Sequence, residues 1–250
     1  MNQLLHGMTR AVAQSFDLPG PILEVGSYLV PGQEKISNLR DLFPDRGYIG
    51  MDMRSGPGVD LVANIEDIPR PDASVGTVIA LSTLEHVKHF WKGVAELKRV
   101  LRPDGVMLLA CPFYFYIHNY PDDYWRFTPA AFKVLLEDYP NKVLAWHGPV
   151  KRPINVWALA FGPERPALTP EQLAAYERNL HQYARQPLSW RRRWSYRLAS
   201  LFLGRGPFAT ELDCNRIEIE APAPVAQYWR VKVGTESFER ETIPAASATK

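Results

Sequence analysis

Apolar residues in the first 160 positions form short runs that are interrupted by glycine and proline. Ile22 to Val25, Tyr48 to Met51 and Val106 to Ala110 predict buried strands, because short apolar runs bounded by turn residues are typical of parallel sheets. Ile36 to Leu42 and His89 to Val100 predict the helices that connect them. This order of strands and helices predicts an α/β fold with a doubly wound sheet.

The pattern changes near residue 165. We expect residues 1–165 to form the main domain and residues 166–250 to form a C-terminal extension of helices and strands that packs on it. Thr169 and Pro170 predict the start of a helix whose apolar face carries Leu173, Tyr176, Leu180 and Ala184. ELDCNRIEIEAP and QYWRVKVG predict a strand pair, and ETIPAASATK predicts a loose tail.

The segment SWRRRWSYRLASLFL predicts a basic amphipathic helix at residues 189–203. Such a helix can lie on an anionic membrane surface with its tryptophans at the interface. The alternative is a helix that packs on the domain and leaves its arginines in solvent. The apolar side carries Trp190, Trp194, Leu198, Leu201 and Phe202, and the basic side carries Arg191, Arg192, Arg193 and Arg197.

Composition narrows the classes of protein that this chain can belong to. At 250 residues the chain can bury one substantial core, and no apolar run reaches the length of a membrane span. A formal net charge of +2 gives no reason to expect a nucleic-acid partner. The two cysteines, Cys111 and Cys214, predict neither a metal site nor a disulfide framework. With no apolar signal segment at the N-terminus, we expect a cytoplasmic protein, and the oligomeric state stays open.

The first strand ends in a glycine turn that is typical of nucleotide-type sites. Gly26 follows the strand, and Asp52 ends the second strand, where a carboxylate can accept hydrogen bonds from both hydroxyls of a ribose. A dinucleotide site needs glycines that admit a diphosphate, but Tyr28 stands where the second glycine is expected. The residues therefore favour a nucleoside ligand without phosphate over NAD, and an ordinary tight turn is the remaining alternative.

The chain resembles the class I S-adenosylmethionine-dependent methyltransferases over roughly residues 20 to 160. The resemblance lies in PILEVGSYLVPGQ, YIGMD, NIEDIP, LSTLEHV and LRPDG, in that order. It implies a Rossmann-like, mostly parallel sheet with an antiparallel last strand, and S-adenosyl-L-methionine as cofactor in residues 1–165. It also implies that the cofactor contacts Glu24, Gly26 and Ser27 at its methionine end, Asp52 at the ribose, Asn64 and Ile65 at the adenine, and Leu81 and Ser82 near the sulfonium.

The segment that follows the strand ending at Ala110 carries the densest chemistry in the chain. His118 is the candidate base for an alcohol acceptor, Asp122 can orient it, and Arg126 can pair with an acidic substrate group. A positioning role for His118, or a purely structural role, remains open, and Arg126 can instead form a structural pair with an aspartate. Candidate substrate-binding residues are Tyr116, Asp123, Tyr124 and Trp125.

HNYPDDYWRFT is similar to a subgroup of these methyltransferases that acts in surface polysaccharide and glycan biosynthesis. This second resemblance implies O-methylation of a sugar hydroxyl on a glycan or glycolipid intermediate. A small aromatic or lipid-like acceptor suits the aromatic segment equally well. A noncatalytic protein that binds the cofactor or a partner is the alternative from a different class.

Overall fold

A ten-stranded sheet in the order β10-β9-β8-β6-β7-β5-β4-β1-β2-β3 organises the computed structural model. The structure describes residues 2–118, 122–148, 151–184, 190–203, 217–221, 228–231 and 240–243. At one side of the sheet the neighbouring strands β5-β4-β1-β2-β3 pair in parallel, and the strands from β6 to β10 make antiparallel pairs. This arrangement confirms the predicted fold class. The strands are β1 (Ile22–Val25), β2 (Tyr48–Asp52), β3 (Leu61–Val62), β4 (Val75–Leu81), β5 (Leu101–Pro112), β6 (Asn141–His147), β7 (Asn155–Phe161), β8 (Ile217–Glu220), β9 (Tyr228–Val231) and β10 (Arg240–Ile243).

Helices cover both faces of the sheet. One core layer joins the sheet to α1 and α5 through Met8 and Tyr176, and the other joins it to α3 and α4 through Leu97 and Phe132. Each of these four side chains is fully buried, as a doubly wound sheet requires. The helices are α1 (Gln3–Ser15), α2 (Glu34–Ser37), α3 (Phe90–Val100), α4 (Pro129–Leu135), α5 (Pro170–Tyr183) and α6 (Trp190–Leu203), with 3-10 turns at Arg40–Leu42 and Leu84–His86.

The central strand β1 determines where a ligand can bind. Val25, its last residue, lies opposite Met51 of β2 and Ala80 of β4 in a parallel register. The carboxyl ends of these three strands therefore meet at one edge of the sheet. In open α/β sheets this edge is where ligands bind.

The predicted helix from Ile36 to Leu42 is wrong as a continuous element. The chain forms only α2 and then the separate 3-10 turn. Between them, Asn38 has an extended backbone, and its side-chain oxygen accepts a hydrogen bond from the backbone N–H of Arg40 at 3.1 Å. Asparagine competes in this way with the helical hydrogen-bond pattern, which ends α2.

Two other local predictions need correction. The strand predicted from Val106 to Ala110 is too short, because β5 begins at Leu101 and the register shifts where Val75 and Thr77 pair with it. The expected loose tail contains a strand, since β10 pairs with β9. Residues 244–250 of that tail lie outside the described part of the chain.

The extension contributes helix α5 to the fold as its sequence predicts. Thr169 and Gln172 form a capping box at its start, in which each side chain bonds the backbone N–H of the other residue. The apolar face is buried, and the indole N–H of Trp157 donates to the hydroxyl of Tyr176 at 2.8 Å. The predicted strand pair is present as β8 and β9. The division at residue 165 stays a prediction. None of the helices in the described ranges is long and apolar enough to cross a bilayer.

A buried polar pair joins β1 to β2. The hydroxyl of Tyr48 donates to the carboxylate of Glu24 at 2.7 Å, and both side chains are largely removed from solvent. Burial raises the pKa of Glu24 to about 7, although the Tyr48 hydroxyl and the charge of Arg40 act in the opposite direction. Glu24 therefore binds its proton more tightly in the folded than in the unfolded chain.

We expect Glu24→Gln to change how stability depends on pH. Stability from the protonated carboxyl is fully present below the unfolded pKa of 4.5 and is lost as pH rises through about 7. The glutamine variant lacks this loss, so its free energy of unfolding relative to the wild type should increase by about 2 to 3 kcal/mol between pH 5 and pH 8. Urea denaturation at both pH values measures the difference, with the exposed Glu137→Gln as control. A difference that is constant with pH would contradict the raised pKa.

Candidate active site

The turn after β1 is built by a close contact between Gly26 and Thr83. Gly26 has a φ of +85°, which is unfavourable for residues with a side chain. The Thr83 hydroxyl donates to the carbonyl of Val25 at 2.9 Å, and a Cβ on Gly26 would overlap the Thr83 side chain. Glycine is therefore required here by the neighbouring β4 end as well as by the turn.

The Tyr28 side chain packs on the segment that follows β2. Its ring lies against Gly56, where a Cβ would overlap it, and the Arg54 guanidinium stacks over the ring at 4.4 Å. The chain does not become helical until α2, whose four residues begin at Glu34. A diphosphate needs a glycine loop that leads directly into a helix N-terminus, so the structure gives no support to NAD.

Asp52 lies at the end of β2, beside Gly26. Its Oδ2 accepts from the backbone N–H of Tyr28 at 3.3 Å, and its Oδ1 accepts from the backbone N–H of Arg54 at 3.0 Å. The Arg54 Nε contact at 3.4 Å is longer and weaker. These bonds hold the carboxylate at the sheet edge with lone pairs that ribose hydroxyls can still reach.

The two residues expected at the adenine, Asn64 and Ile65, differ in exposure, since Asn64 is exposed and Ile65 is buried. The side-chain oxygen of Asn64 accepts from the backbone N–H of Glu66 at 3.0 Å, which leaves the amide NH2 group as the available donor. Ile65 is buried and its side chain packs against Gly93 of α3. Asn64 can therefore face an adenine edge, whereas Ile65 supports it from the core.

Ser27, Leu81 and Ser82 surround the Gly26 turn. Ser27 is buried with its hydroxyl directed at Gly50, and this hydroxyl has no hydrogen-bond partner among the described residues. Leu81 is buried at the end of β4. Ser82 has a φ of +51°, and its backbone N–H donates to the Ala110 carbonyl at 2.8 Å. This strained backbone turns the chain sharply at the strand end.

Asp123 organises the segment between β5 and α4, of which residues 113–118 and 122–128 are described. We call it the acceptor segment after its predicted role. One of its carboxylate oxygens accepts from the backbone N–H of His118 at 2.9 Å, and both oxygens bond the guanidinium of Arg126. The Arg126 side chain holds the pKa of Asp123 well below its usual range, against the opposing effect of burial. Arg126 also donates to the carbonyls of Tyr116 and Trp125. Asp123 and Arg126 thus form the structural pair that the sequence allowed, and their roles toward substrate stay predictions.

Aromatic side chains form an exposed surface beside His118. Phe115 and Tyr116 stack at 4.2 Å, and the Phe115 ring meets the His118 ring edge to face at 5.2 Å. Tyr116 is 72% exposed. Tyr124 is also exposed, and its hydroxyl donates to Asp122 at 2.8 Å. Trp125 is partly buried, because its indole N–H donates to the Val87 carbonyl and its ring packs against Phe90.

Sequence reasoning missed Glu85 as a member of this site. Glu85 is fully buried, and neither carboxylate oxygen accepts a hydrogen bond of acceptable geometry within the described residues, although the buried Cys111 thiol is close enough to interact with the carboxylate. Burial raises its pKa to about 7. Its backbone carbonyl accepts from the N–H groups of Tyr124 and Trp125, which ties the acceptor segment to the end of β4. The signal available in the sequence was an acid directly before a histidine, with apolar residues on both sides, in LEHV.

His86 lies between Glu85 and the acceptor segment. Its Nδ1 bonds the Asp122 carbonyl at 2.6 Å, and its ring meets the His118 ring edge to face at 4.8 Å. Burial lowers the pKa of His86, so that the neutral ring is favoured. The Nδ1 of His118 lies 3.0 Å from Asp123 but makes no hydrogen bond of acceptable geometry.

The strand ends offer groups that match an adenosine carrying an amino acid. The Gly26 turn leaves backbone without a Cβ between Asp52 and Leu81. Asp52 provides acceptors for a ribose, Asn64 provides an amide for a base edge, and buried Glu24 lies one strand position back from the turn. The residues present therefore fit S-adenosylmethionine.

A family profile described as a methyltransferase domain matches residues 35–109. A curated protein of Mycolicibacterium smegmatis, named "Probable S-adenosylmethionine-dependent methyltransferase", is 42% identical over 57 residues. This match covers 22% of each chain, so the alignment spans about a fifth of that relative. Asp52, Asn64, Leu81 and Glu85 lie within the profile match, whereas the Gly26 turn and His118 lie outside it.

Two solved structures show a similar arrangement at low identity. A methyltransferase from Aquifex aeolicus, described as SAM-dependent, has 17% identity and a TM-score of 0.45, covering 63% of this chain and 91% of that one. The 1,6-didemethyltoxoflavin-N1-methyltransferase of Burkholderia thailandensis, solved with S-adenosylhomocysteine, has 15% identity and a TM-score of 0.49, covering 64% and 78%. These values are too low to carry a conclusion about activity or substrate. The profile match shows that residues 35–109 are similar to a methyltransferase domain.

Proposed function

We propose that this protein transfers a methyl group from S-adenosylmethionine to a hydroxyl of a sugar in a glycan or glycolipid intermediate. The observation that carries the proposal is the meeting of two sets of residues at one sheet edge. The cofactor-type residues stand at the ends of β1, β2 and β4, and the backbone of Glu85 ties the acceptor segment directly to the end of β4.

His118 is the proposed activating residue for the acceptor. S-adenosylmethionine supplies a methyl group bonded to a positively charged sulfur. The acceptor oxygen forms a bond to the methyl carbon while the carbon–sulfur bond breaks, and the hydroxyl proton must leave. His118 promotes that loss, since its ring is 26% exposed and its backbone is fixed by Asp123. The pairing of Asp123 with Arg126 makes both residues supports for His118.

The exposed aromatic surface favours an acceptor with flat apolar faces. Sugar rings stack on such surfaces through their C–H faces, and Phe115 and Tyr116 present exposed rings beside His118. The same surface also favours the second candidate, a small aromatic or lipid-like acceptor. Methyl transfer with labelled cofactor into separate glycan and small-molecule fractions of a cell extract decides between the two.

We expect Asp52→Ala to weaken cofactor binding. Loss of a charged carboxylate that accepts two hydrogen bonds from the ribose hydroxyls should raise the Kd for S-adenosylmethionine by about 10-fold to 100-fold. Titration calorimetry measures the change, and circular dichroism verifies folding. Asp67→Ala, which replaces an exposed aspartate outside the predicted cofactor contacts, is the matched control. Equal affinities of the two variants would remove Asp52 from the site, and no binding by the wild type would remove the proposed cofactor.

We expect His118→Gln to slow methyl transfer by about 100-fold or more while leaving cofactor affinity nearly unchanged, because the variant cannot promote proton loss. Single-turnover transfer of labelled methyl groups into the acceptor fraction measures this rate. His89→Gln is the control, since Nδ1 of His89 pairs with Glu66 at 2.9 Å and not with a residue of the acceptor segment. A wild-type rate for His118→Gln would exclude the proposed role.

Helix α6 supports a further part of the proposal, contact with the cytoplasmic face of a membrane. Trp190, Trp194, Leu198 and Leu201 recur every three or four residues and are exposed, which leaves one apolar stripe in solvent. Arg191 stacks on Trp190 and is exposed. An apolar stripe with tryptophan and flanking arginines suits an anionic interface, where lipid-linked acceptors are found. The side chain of Phe202 lies outside the described ones.

We expect the protein to float with vesicles that contain phosphatidylglycerol and to remain unbound with neutral vesicles. The double variant Trp194→Ser and Leu201→Ser should lose most of this binding, because apolar burial and charge act together at the interface. Val134→Ser, an exposed apolar residue of α4, is the control. Flotation that is absent, or equal in both variants, would rule out α6 as a membrane contact.

A further inference from the structure

Three potential metal ligands converge beside the acceptor segment. Glu85 and His86 come from the 3-10 turn after β4, and His118 comes from the segment after β5. One ligand atom from each of the three lies within 4.8 Å of the others. The sequence predicted no metal site, because its two cysteines show no ligand spacing. The two histidines of this cluster are 32 residues apart in the chain.

Unpartnered buried atoms point to a missing ligand in this cluster. Both carboxylate oxygens of Glu85 are buried without a hydrogen bond of acceptable geometry in the described chain. Nδ1 of His118 is buried in the same way, and its near neighbour is the Asp123 carboxylate at 3.0 Å. Glu85 is 0% exposed, and its nearest basic nitrogen in this cluster, Nε2 of His86, is 3.9 Å from Oε1. An unsatisfied buried carboxylate is costly unless a proton or a cation accompanies it.

The surrounding hydrogen bonds prepare His86 to act as a ligand. Because the Asp122 carbonyl can only accept, Nδ1 of His86 must donate to it, and Nε2 is left with its lone pair. Metal-binding histidines commonly donate their second ring N–H to a backbone carbonyl in this way. The backbone bonds from Tyr124 and Trp125 to Glu85 hold both chain segments together in the absence of any ion.

We propose that Glu85, His86 and His118 bind one divalent transition-metal cation such as Zn²⁺ or Mn²⁺. Two imidazoles and a carboxylate form a ligand set that these cations accept, and three protein ligands leave a position open for another molecule. Ligand atoms about 2.1 Å from a tetrahedral Zn²⁺ lie about 3.4 Å from one another. Movements of roughly 1 Å in the side chains would therefore bring the three ligand atoms from within 4.8 Å to this separation.

The cation deepens the role proposed for His118. An acceptor hydroxyl at the open position would have its pKa lowered by the metal and would release its proton to water, while His118 serves as a ligand. This use rests on the proposed methyl transfer, but cation binding itself does not. The Asp123–Arg126 pair adjoins the site as a neutralised pair.

Metal binding by the purified full chain, after treatment with a chelator, tests the inference. Calorimetry with Zn²⁺ or Mn²⁺ alone should show one cation per chain, and Co²⁺ should give visible absorption bands of a four- or five-coordinate site. Glu85→Gln and His118→Ala should each weaken affinity by about 10-fold to 100-fold or more. His89→Gln, which disrupts the separate pair with Glu66, should bind as the wild type does.

The alternative outcomes separate this inference from the proposed function. No stoichiometric cation binding, or unchanged affinity in His118→Ala, overturns the metal site, and His118→Ala serves this purpose even if Glu85→Gln fails to fold. Binding of S-adenosylmethionine by the same metal-free protein is measured in parallel. A chain that binds S-adenosylmethionine but no stoichiometric cation keeps the proposed function and loses the metal site. A chain that binds the cation but not S-adenosylmethionine keeps the metal site and loses the proposed function.

Discussion

The parallel pairing of β1 between β2 and β4 is the constraint on which the rest of the site depends. It places the Gly26 turn, which has no side chain of its own, between Asp52 and the end of β4. Thr83 then closes against the glycine and bonds the Val25 carbonyl, so the cofactor side is set by backbone geometry before any ligand arrives. A site built on strand ends in this way requires little reorganisation on binding.

A second set of bonds attaches the acceptor segment to this frame. The Glu85 carbonyl accepts two backbone N–H groups from that segment, and Asp123 fixes the backbone of His118 while neutralising Arg126. The side chains proposed to act on the acceptor therefore belong to distant parts of the sequence but are held on one hydrogen-bonded support. Glu85 contributes to both halves, through its backbone to the connection and through its buried carboxylate to the histidine cluster.

Much of the sheet could be predicted from sequence, because apolar runs such as Ile22 to Val25 and Val106 to Ala110 are buried along their whole length and need no tertiary information to be recognised. The break at Asn38 depends on a side-chain hydrogen bond that competes with the helix, which periodicity does not report. At the site, Asp52 and His118 were identifiable by residue type and position. The pairing of Asp123 with Arg126, and the convergence of His86 on His118, arise from folding contacts between segments that the sequence pattern treats as independent.

The contact between Tyr28 and Gly56 has an evolutionary consequence. A bulky residue in the first loop is tolerated because the β2–β3 connection has no Cβ at the facing position, and Arg54 covers the ring from the other side. Replacement of Gly56 is therefore opposed twice, because a side chain would overlap the Tyr28 ring and because a φ of +153° is unfavourable for a residue with a Cβ even without that ring. Selection is expected to keep glycine at position 56 whatever residue occupies position 28.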